Sequence, residues 1–228
     1  MKIEVLSDVY SAAKKAAAIV AAEARAAAAE RGSFIMAVSG GHTPWVMLRA
    51  LAGEAVPWQS VHVVQVDERV VPEGHPDRNL TQLRASLLEH APLPPDRIHA
   101  MPVQSQDLEG AARNYASGLR DIAGKPALLD LVHLGLGPDG HTASLVPGDP
   151  VLDVVDADVS LTGAYQGRRR MTLTYPIINR SRRILWLVTG ADKAGMLRRL
   201  RDGDASIPAG RVRREDALVV ADRAAVGE

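Results

Sequence analysis

The sequence predicts an α/β fold in which a largely parallel sheet is flanked by helices. Short apolar runs recur along the chain, each with the length and composition of a strand buried on both faces. Segments with helical periodicity or high alanine content separate these runs. The 228 residues contain no internal repeat and no low-complexity linker. Because strands that alternate with helices form parallel sheets, we expect one Rossmann-like domain over residues 1–228.

Helix start and stop signals bound the elements of the N-terminal half. The alanine-rich segment 9–30 is a strong helix former, and Gly32 is expected to end it. The apolar run 34–38 is the next strand. The helix after it is expected to begin with Thr43 as N-cap and Pro44 in its first position. The other predicted elements are an edge strand at 2–6, a strand at 61–66 that runs into Asp67-Glu68-Arg69, a loop at 70–79 and a helix at 80–90.

The C-terminal half continues the same alternation. Segment 98–103 is ambiguous. The predicted helices are 108–122, 175–182 and 190–201, and the predicted strands are 128–134, 171–174, 184–189 and 217–221.

The composition excludes several classes of protein. Basic and acidic side chains balance at 27 each, so the chain lacks the positive charge that binds nucleic acid or an anionic membrane. It contains no cysteine, which rules out disulfides, thiolate metal sites and cysteine nucleophiles and is compatible with a cytoplasmic location. The N-terminus lacks the apolar stretch of a signal peptide, and no run approaches the ~20 apolar residues of a membrane span.

A glycine-rich loop follows the strand at 34–38. Its sequence is Ser39-Gly40-Gly41-His42-Thr43. Two glycines allow an anion to approach the backbone, the next helix presents free N–H groups, and the two hydroxyls add donors. The loop is therefore a candidate phosphate cradle, although a tight turn with an ordinary helix cap explains the same residues equally well.

A charged loop, Asp67-Glu68-Arg69, follows the strand at 61–66. Charges at a strand end commonly form a surface ion pair of little energetic consequence. The same residues can also act as an acid/base pair with a cationic partner for an oxyanion. Taken alone, the sequence favours the ion pair.

A third loop contains the glycine spacing of a dinucleotide site between Gly135 and Gly140. We reject that interpretation because the motif lies late in the chain, Pro138 interrupts the turn, and polar Asp139 and His141 flank the last glycine. The segment Asp139-Gly140-His141 instead places a carboxylate beside an imidazole, which can accept and return a proton near neutral pH.

The remaining basic residues allow two interpretations. One arginine of the run 168–170 can reach a phosphate, but a charge run is usually a solvated face. Lys193, near a helix start, is likewise a phosphate ligand or a surface lysine. Of the other histidines, His62 and His133 are expected to be packed or edge residues of strands, whereas His90 and His99 are expected to be solvated. No histidine pair has a metal-ligand spacing, so we expect no metal.

Four ordered groups of motifs span nearly the whole chain. They are Ser39-Gly40-Gly41-His42-Thr43-Pro44; Asp67-Glu68-Arg69 with His75-Pro76-Asp77-Arg78-Asn79; Gly135-Leu136-Gly137-Pro138-Asp139-Gly140-His141-Thr142; and Thr172-Leu173-Thr174 with Thr189-Gly190-Ala191 and Lys193. In this order they resemble the 6-phosphogluconolactonase family. The sequence departs from the family pattern at Val146, where an aromatic residue is expected, and at Arg78, where serine is frequent and where the rim of the site is expected to change.

The resemblance implies a fold shared with glucosamine-6-phosphate deaminase and ribose-5-phosphate isomerase. It also implies hydrolysis of 6-phosphoglucono-1,5-lactone to 6-phosphogluconate in the oxidative pentose phosphate pathway. His141 would then be the general base that activates water, Asp139 and Asp67 would orient the site, and Arg69 would stabilise the oxyanion or bind substrate oxygens. The residues implied to hold the phosphate are Ser39, Gly40, Gly41, Thr43, Lys193 and an arginine of the 168–170 run, for which Arg170 is our choice.

Lactone hydrolysis needs an activated water, a stabilised oxyanion and a proton for the ring oxygen. The chain has no GxSxG nucleophile motif, so we expect direct attack by water without an acyl-enzyme. We expect a small-molecule substrate, no cofactor, no nucleic-acid or membrane partner, and a monomer or weak homodimer.

Two alternatives remain, one of the same fold and one of a different functional class. The first is an aminosugar-phosphate deaminase or isomerase. The deaminase would carry a glutamate after the Asp-Gly-His segment, and residues 142–147 contain no carboxylate. A non-catalytic sugar-phosphate sensor would usually carry a DNA-binding segment, which this chain lacks.

Overall fold

Seven strands form one parallel sheet in the computed structural model, which describes residues 1–228. The strands are β1 (Lys2–Leu6), β2 (Phe34–Val38), β3 (Val61–Gln65), β5 (Ile98–His99), β6 (Leu131–Leu134), β9 (Arg183–Val188) and β10 (Ala217–Asp222). Their order across the sheet is β1-β10-β9-β6-β2-β3-β5. Every residue of β2, β6 and β10 is buried, as expected for strands covered on both faces. The predicted α/β fold with a largely parallel sheet is confirmed.

Three further strands, β4 (Asp67–Arg69), β7 (Val159–Leu161) and β8 (Arg170–Leu173), form a separate antiparallel sheet. Their order in it is β4-β8-β7. The prediction of a loop at 67–69 was therefore wrong, and β7 was not predicted. Three consecutive charged residues have no apolar alternation, so only the pairing with β8 reveals that β4 is a strand.

Helices cover the large sheet, and the first shows how its sequence fits this role. The Asp8 side chain accepts a hydrogen bond from the Ser11 amide at the start of α1 (Val9–Arg31). Gly32 ends the helix with φ of 76°, as predicted. The alanines of its buried face let the helix lie close to the sheet. The helices are α1 (Val9–Arg31), α2 (His42–Ala52), α3 (Asn79–Leu83), α4 (Leu108–Ala123), α5 (Tyr175–Arg180), α6 (Ala194–Asp202) and α7 (Arg223–Val226).

Several predicted boundaries were wrong. The N-cap of α2 is Gly41 rather than Thr43, because the helix begins two residues earlier than predicted, at His42 instead of Pro44. The helix predicted at 80–90 is α3 followed by one π-helical turn, Arg84–Leu88. The helix predicted at 190–201 is a 3₁₀ turn, Ala191–Lys193, followed by α6. None of the helices combines the length and apolar composition needed to cross a bilayer.

His99 is half-buried, which corrects the expectation that it is solvated. Its ring stacks on His62, the other histidine at this sheet edge, with ring centroids 5.2 Å apart. The pairing of β3 with β5 places the two imidazoles side by side.

A buried carboxylate, Glu68, joins the two sheets to α3. Its side chain is 0% exposed and lies 3.4 Å from Arg78 Nε. Its oxygens accept four hydrogen bonds of 2.8 Å, from the Gln65 side chain and the amides of Arg69, Asn79 and Leu80. The expectation that Arg78 changes the rim of the site was wrong, because this arginine is buried against Glu68.

We expect Glu68→Gln to destabilise the fold by about 3–5 kcal/mol, because it leaves the buried Arg78 charge unpaired and turns an NH₂ group toward backbone donors. The matched control is Glu73→Gln, since Glu73 pairs with Arg84 on the surface, where an ion pair contributes less than about 1 kcal/mol. Urea unfolding measures both changes. Equal free energies of unfolding for the two variants would contradict the role given to Glu68.

Candidate functional site

Four loops meet around one cavity at the carboxyl ends of the strands. They follow β2, β3, β6 and β9, which are neighbours in the large sheet, and parallel sheets bind ligands at this edge. The cavity has a volume of about 370 Å³. Its polar lining residues are Ser39, Gly40, Gly41, His42, Thr43, Asp67, Arg69, Asn79, Gly135, Gly137, His141, Arg170, Thr189 and Lys193. All the sequence-predicted site residues except Asp139 therefore line a single cavity.

The glycine-rich loop forms one wall of this cavity. Gly41 has φ of 123°, a conformation that favours glycine. A Cβ atom on Gly40 would lie 2.1 Å from Asn79 Oδ1, so only glycine allows these segments to approach. Directly after them, the first turn of the eleven-residue helix α2 leaves N–H groups without intrahelical acceptors. This wall can bind an anion.

The hydroxyls of this wall are already engaged within the protein. Ser39 Oγ donates to the His133 carbonyl oxygen at 2.8 Å, so it holds the loop in place. Thr43 Oγ1 lies 2.7 Å from Thr189 Oγ1 and ties α2 to the loop after β9. Lys193 Nζ lies 2.9 Å from the exposed Asp192 carboxylate while its side chain lines the cavity. Backbone amides and Lys193 are therefore the principal anion-binding groups here.

Asp67 lies at the base of the cavity and is buried. Its Oδ2 accepts a hydrogen bond from Ser144 Oγ at 2.5 Å, and its Oδ1 accepts one from Asn79 Nδ2 at 3.2 Å. Burial raises the pKa of the Asp67 carboxyl, although the Ser144 hydrogen bond and the charges of Arg69 and Arg170 oppose the rise. The neutral form of this carboxyl is therefore favoured more than that of an exposed aspartate.

Arg69 projects from β4 beside Asp67. One of its terminal nitrogens donates to Asn79 Oδ1 at 2.7 Å and to the Asp77 carbonyl oxygen at 2.9 Å. These two bonds fix the guanidinium, which also lines the cavity. A fixed cation of this kind can stabilise negative charge that develops on a bound ligand.

Of the arginine run, only Arg170 enters the cavity. It is 4% exposed, and its guanidinium lies 4.9 Å from the centroid of the Tyr165 ring. Arg168 and Arg169 are half-exposed and pair with the surface carboxylates of Asp77 and Glu109. Arg170 is the first residue of β8, in which every residue is buried, whereas Arg168 and Arg169 lie in the exposed segment before the strand.

His141 and Asp139 form a hydrogen-bonded pair at the cavity wall. Asp139 Oδ1 lies 2.5 Å from His141 Nδ1 and also accepts the His141 amide at 3.1 Å. Burial opposes ionisation of Asp139, but the hydrogen bonds from the His141 amide and ring outweigh it and lower the pKa of the carboxyl. Since Nδ1 is occupied, Nε2 is the ring nitrogen available to the cavity.

Gly137 leaves the space that the imidazole occupies. A Cβ atom on Gly137 would lie 2.1 Å from His141 Nδ1. The Gly137 amide also donates to the His141 carbonyl oxygen at 2.8 Å. The glycine spacing that resembles a dinucleotide motif therefore allows this segment to pack closely against the histidine.

Tyr165 is a site residue that sequence reasoning missed. Its hydroxyl donates to Asp139 Oδ2 at 3.0 Å and lies 3.5 Å from His141 Nδ1. It precedes a turn in which Gln166 and Gly167 both have positive φ. The Gln-Gly pair before the arginine run indicates a tight turn, but nothing local indicates that Tyr165 faces a segment 26 residues away.

His133 supports the glycine-rich loop from inside the sheet. It is fully buried, as predicted, and its Nδ1 accepts the Ser39 amide at 3.3 Å. Burial lowers the pKa of His133 to about 4, so the ring is neutral and can act as that acceptor.

A family model described as glucosamine-6-phosphate isomerases/6-phosphogluconolactonase matches residues 7–220 of the chain. The chain belongs to this family. A curated family member from Synechocystis, named 6-phosphogluconolactonase, is 40% identical over 196 residues, which cover 84% of this chain and 81% of that protein. The predicted family membership is therefore confirmed.

Solved structures of the family share the fold. A 6-phosphogluconolactonase from Thermotoga maritima has a TM-score of 0.86 and 27% identity, over 97% of this chain and 98% of that chain. A monomeric glucosamine-6-phosphate deaminase also has a TM-score of 0.86, at 21% identity, over 99% of both chains. At that identity the likeness shows the fold alone, so side chains must separate the two activities.

Stability should fall on acidification because of His133. Between pH 6.5 and 4 the unfolded chain protonates this histidine while the folded chain, with its pKa at about 4, does not. The free energy of unfolding should therefore decrease with falling pH, by up to about 1.4 kcal/mol per unit for one proton. Asparagine retains an acceptor but does not titrate, so His133→Asn should flatten this slope in urea unfolding at each pH. A slope equal to that of the wild type would contradict the assignment.

Proposed function

We propose that this chain hydrolyses 6-phospho-D-glucono-1,5-lactone to 6-phospho-D-gluconate, with a water molecule activated by His141. The observation that carries the proposal is the Asp139–His141 pair, in which Asp139 holds Nδ1 and leaves Nε2 free on a histidine that lines a cavity with an anion-binding wall. One end of the cavity handles a proton and the other binds an anion. A lactone with a phosphate remote from its reacting carbon needs both.

The reaction would begin with proton transfer from water to His141 Nε2. The hydroxide adds to the lactone C1, and the carbonyl electrons move to the oxygen, which Arg69 stabilises as an oxyanion. The oxyanion then collapses, and the bond between C1 and the ring oxygen breaks. His141 returns its proton to the ring oxygen, and the new carboxylic acid ionises at neutral pH. Asp139 orients the imidazole and stabilises its protonated form throughout.

The phosphate would lie at the first turn of α2. In this proposal the Gly40, Gly41 and Thr43 backbone with Lys193 and Arg170 binds the phosphate, while Ser39 holds the loop through His133. Asp67 would orient substrate hydroxyls at the base of the cavity. Binding energy from the phosphate then aligns C1 with the activated water.

The deaminase alternative has no support from the residues after His141. A ring-opening glutamate is absent from residues 142–147, and Thr142, Ser144, Leu145 and Val146 in that segment are all buried. The Ser144 hydroxyl instead bonds to Asp67. The lactone substrate is therefore favoured.

We further propose a single domain over residues 1–228, a monomer or weak homodimer, and a cytoplasmic location. The single domain is supported by one large apolar cluster that contains residues from both sheets. The cytoplasmic location is supported by the absence of cysteine.

The test of the function is a coupled spectrophotometric assay with freshly made 6-phosphogluconolactone. Spontaneous hydrolysis is subtracted at each pH. We expect the purified chain to accelerate lactone loss without added metal or nucleotide. Release of ammonia from glucosamine 6-phosphate, with no effect on the lactone, would instead identify a deaminase.

We expect His141→Asn to lower kcat by ~10²–10⁴, the usual cost of losing a general base. KM should change little, because the phosphate-binding wall is untouched. The matched control is His90→Asn, since His90 is exposed and lies outside the cavity. If folded His141→Asn turned over at the wild-type rate, His141 would not be the base, and Asp67 would be the next candidate.

A further inference from the structure

We propose that Tyr165 is a positioning residue of this enzyme, which fixes the Asp139–His141 pair through its hydroxyl and the Arg170 guanidinium through its ring. The inference rests on the proposed role of His141. It assigns a function to a side chain on the turn before β8, which does not line the cavity and belongs to none of the recognised motifs.

The hydroxyl of Tyr165 completes the hydrogen bonding of the Asp139 carboxylate. Asp139 Oδ1 is bound to the His141 ring at 2.5 Å, and Oδ2 accepts from Tyr165 at 3.0 Å. A carboxylate held at both oxygens cannot rotate about its terminal bond without losing a hydrogen bond. The imidazole that it orients is therefore held with Nε2 toward the cavity.

The ring of Tyr165 makes two further contacts. Its edge meets the His141 ring with centroids 5.4 Å apart and planes at 64°. Its face lies 4.9 Å from the Arg170 guanidinium carbon, a cation–π distance. One aromatic ring thus packs between the proton-transfer pair and a buried cation of the cavity.

The position of Tyr165 excludes a direct part in the chemistry. Its hydroxyl lies 3.5 Å from His141 Nδ1, the ring nitrogen that Asp139 already holds, and Tyr165 does not line the cavity. Burial, together with the hydrogen bond and charge of Asp139, raises the pKa of Tyr165, so the hydroxyl stays protonated at neutral pH and acts only as a donor. The charged or titratable groups that face it are Asp139, His141 and Arg170.

The hydroxyl and the ring can be tested separately. Tyr165→Phe retains the ring, so KM should stay near the wild-type value while kcat falls roughly tenfold, as for loss of one hydrogen bond to a charged group. Without the hydroxyl, the Asp139 charge acts more strongly on the imidazole. The acidic limb of the kcat–pH profile should therefore move to higher pH.

Tyr165→Leu also removes the ring. Because Arg170 then loses its aromatic partner, we expect KM for the lactone to rise in addition to the fall in kcat. Compared with Tyr165→Leu, the Tyr165→Phe variant should have the wild-type KM but still a lowered kcat. A purely structural role of Tyr165 would not separate these two effects.

Tyr175→Phe is the matched control. Tyr175 also donates its hydroxyl, to the Pro208 carbonyl oxygen at 2.8 Å, and also packs under an arginine, Arg211, at 4.9 Å. It lies outside the cavity, so its kcat, KM and pH profile should match the wild type.

If folded Tyr165→Phe has the kcat and pH profile of the wild type while His141→Asn is inactive, the positioning role of Tyr165 is overturned. The proposed role of His141 then stands. Wild-type activity in His141→Asn would instead remove the proposed mechanism itself. Equal losses of kcat in Tyr165→Phe and Tyr175→Phe would indicate a general effect on stability and would also overturn the proposal.

Discussion

Parallel pairing of four neighbouring strands is the constraint on which the site depends. Because β9, β6, β2 and β3 run in one direction, the segments that follow them all emerge at one edge. The anion-binding loop, the charged strand β4, the Asp-Gly-His turn and the Lys193 turn therefore meet, although more than 150 residues separate the first from the last in sequence. Reversing any one strand would move its loop to the opposite edge.

Buried polar groups turn this approximate convergence into a defined geometry. Glu68 fixes β4 to α3, His133 fixes the glycine-rich loop, and Ser144 and Asn79 hold Asp67. Each group is buried with hydrogen-bond partners, so its displacement would leave polar atoms unsatisfied. Two glycines, Gly40 and Gly137, allow close approaches within the site, each where a methyl group would overlap a site side chain. A site built in this way needs little reorganisation when a ligand binds.

Much of the fold and cavity follows from local sequence, and the remainder depends on long-range pairing. The apolar runs predicted β2 and β9, and the motifs predicted the cavity-lining Arg69, His141 and Lys193. The antiparallel sheet was missed because β4 consists of three charged residues whose partner strand lies about 100 residues later. The burial of Arg78 was not predicted, because the sequence favours a surface ion pair for Glu68, which in the structure is its buried partner. Tyr165 was missed for the same physical reason, since its partner belongs to another loop.

The central claim is that the cavity binds the phosphate at one wall and presents the reacting carbon to His141 at the other. A crystal structure of the chain with the product 6-phosphogluconate tests it most directly. We expect the phosphate at the first turn of α2 with Lys193 and Arg170. The C1 carboxylate should lie within about 2.6–3.2 Å of His141 Nε2, or be joined to it through one water. A product bound in the reverse direction, with its phosphate against His141, would contradict the account.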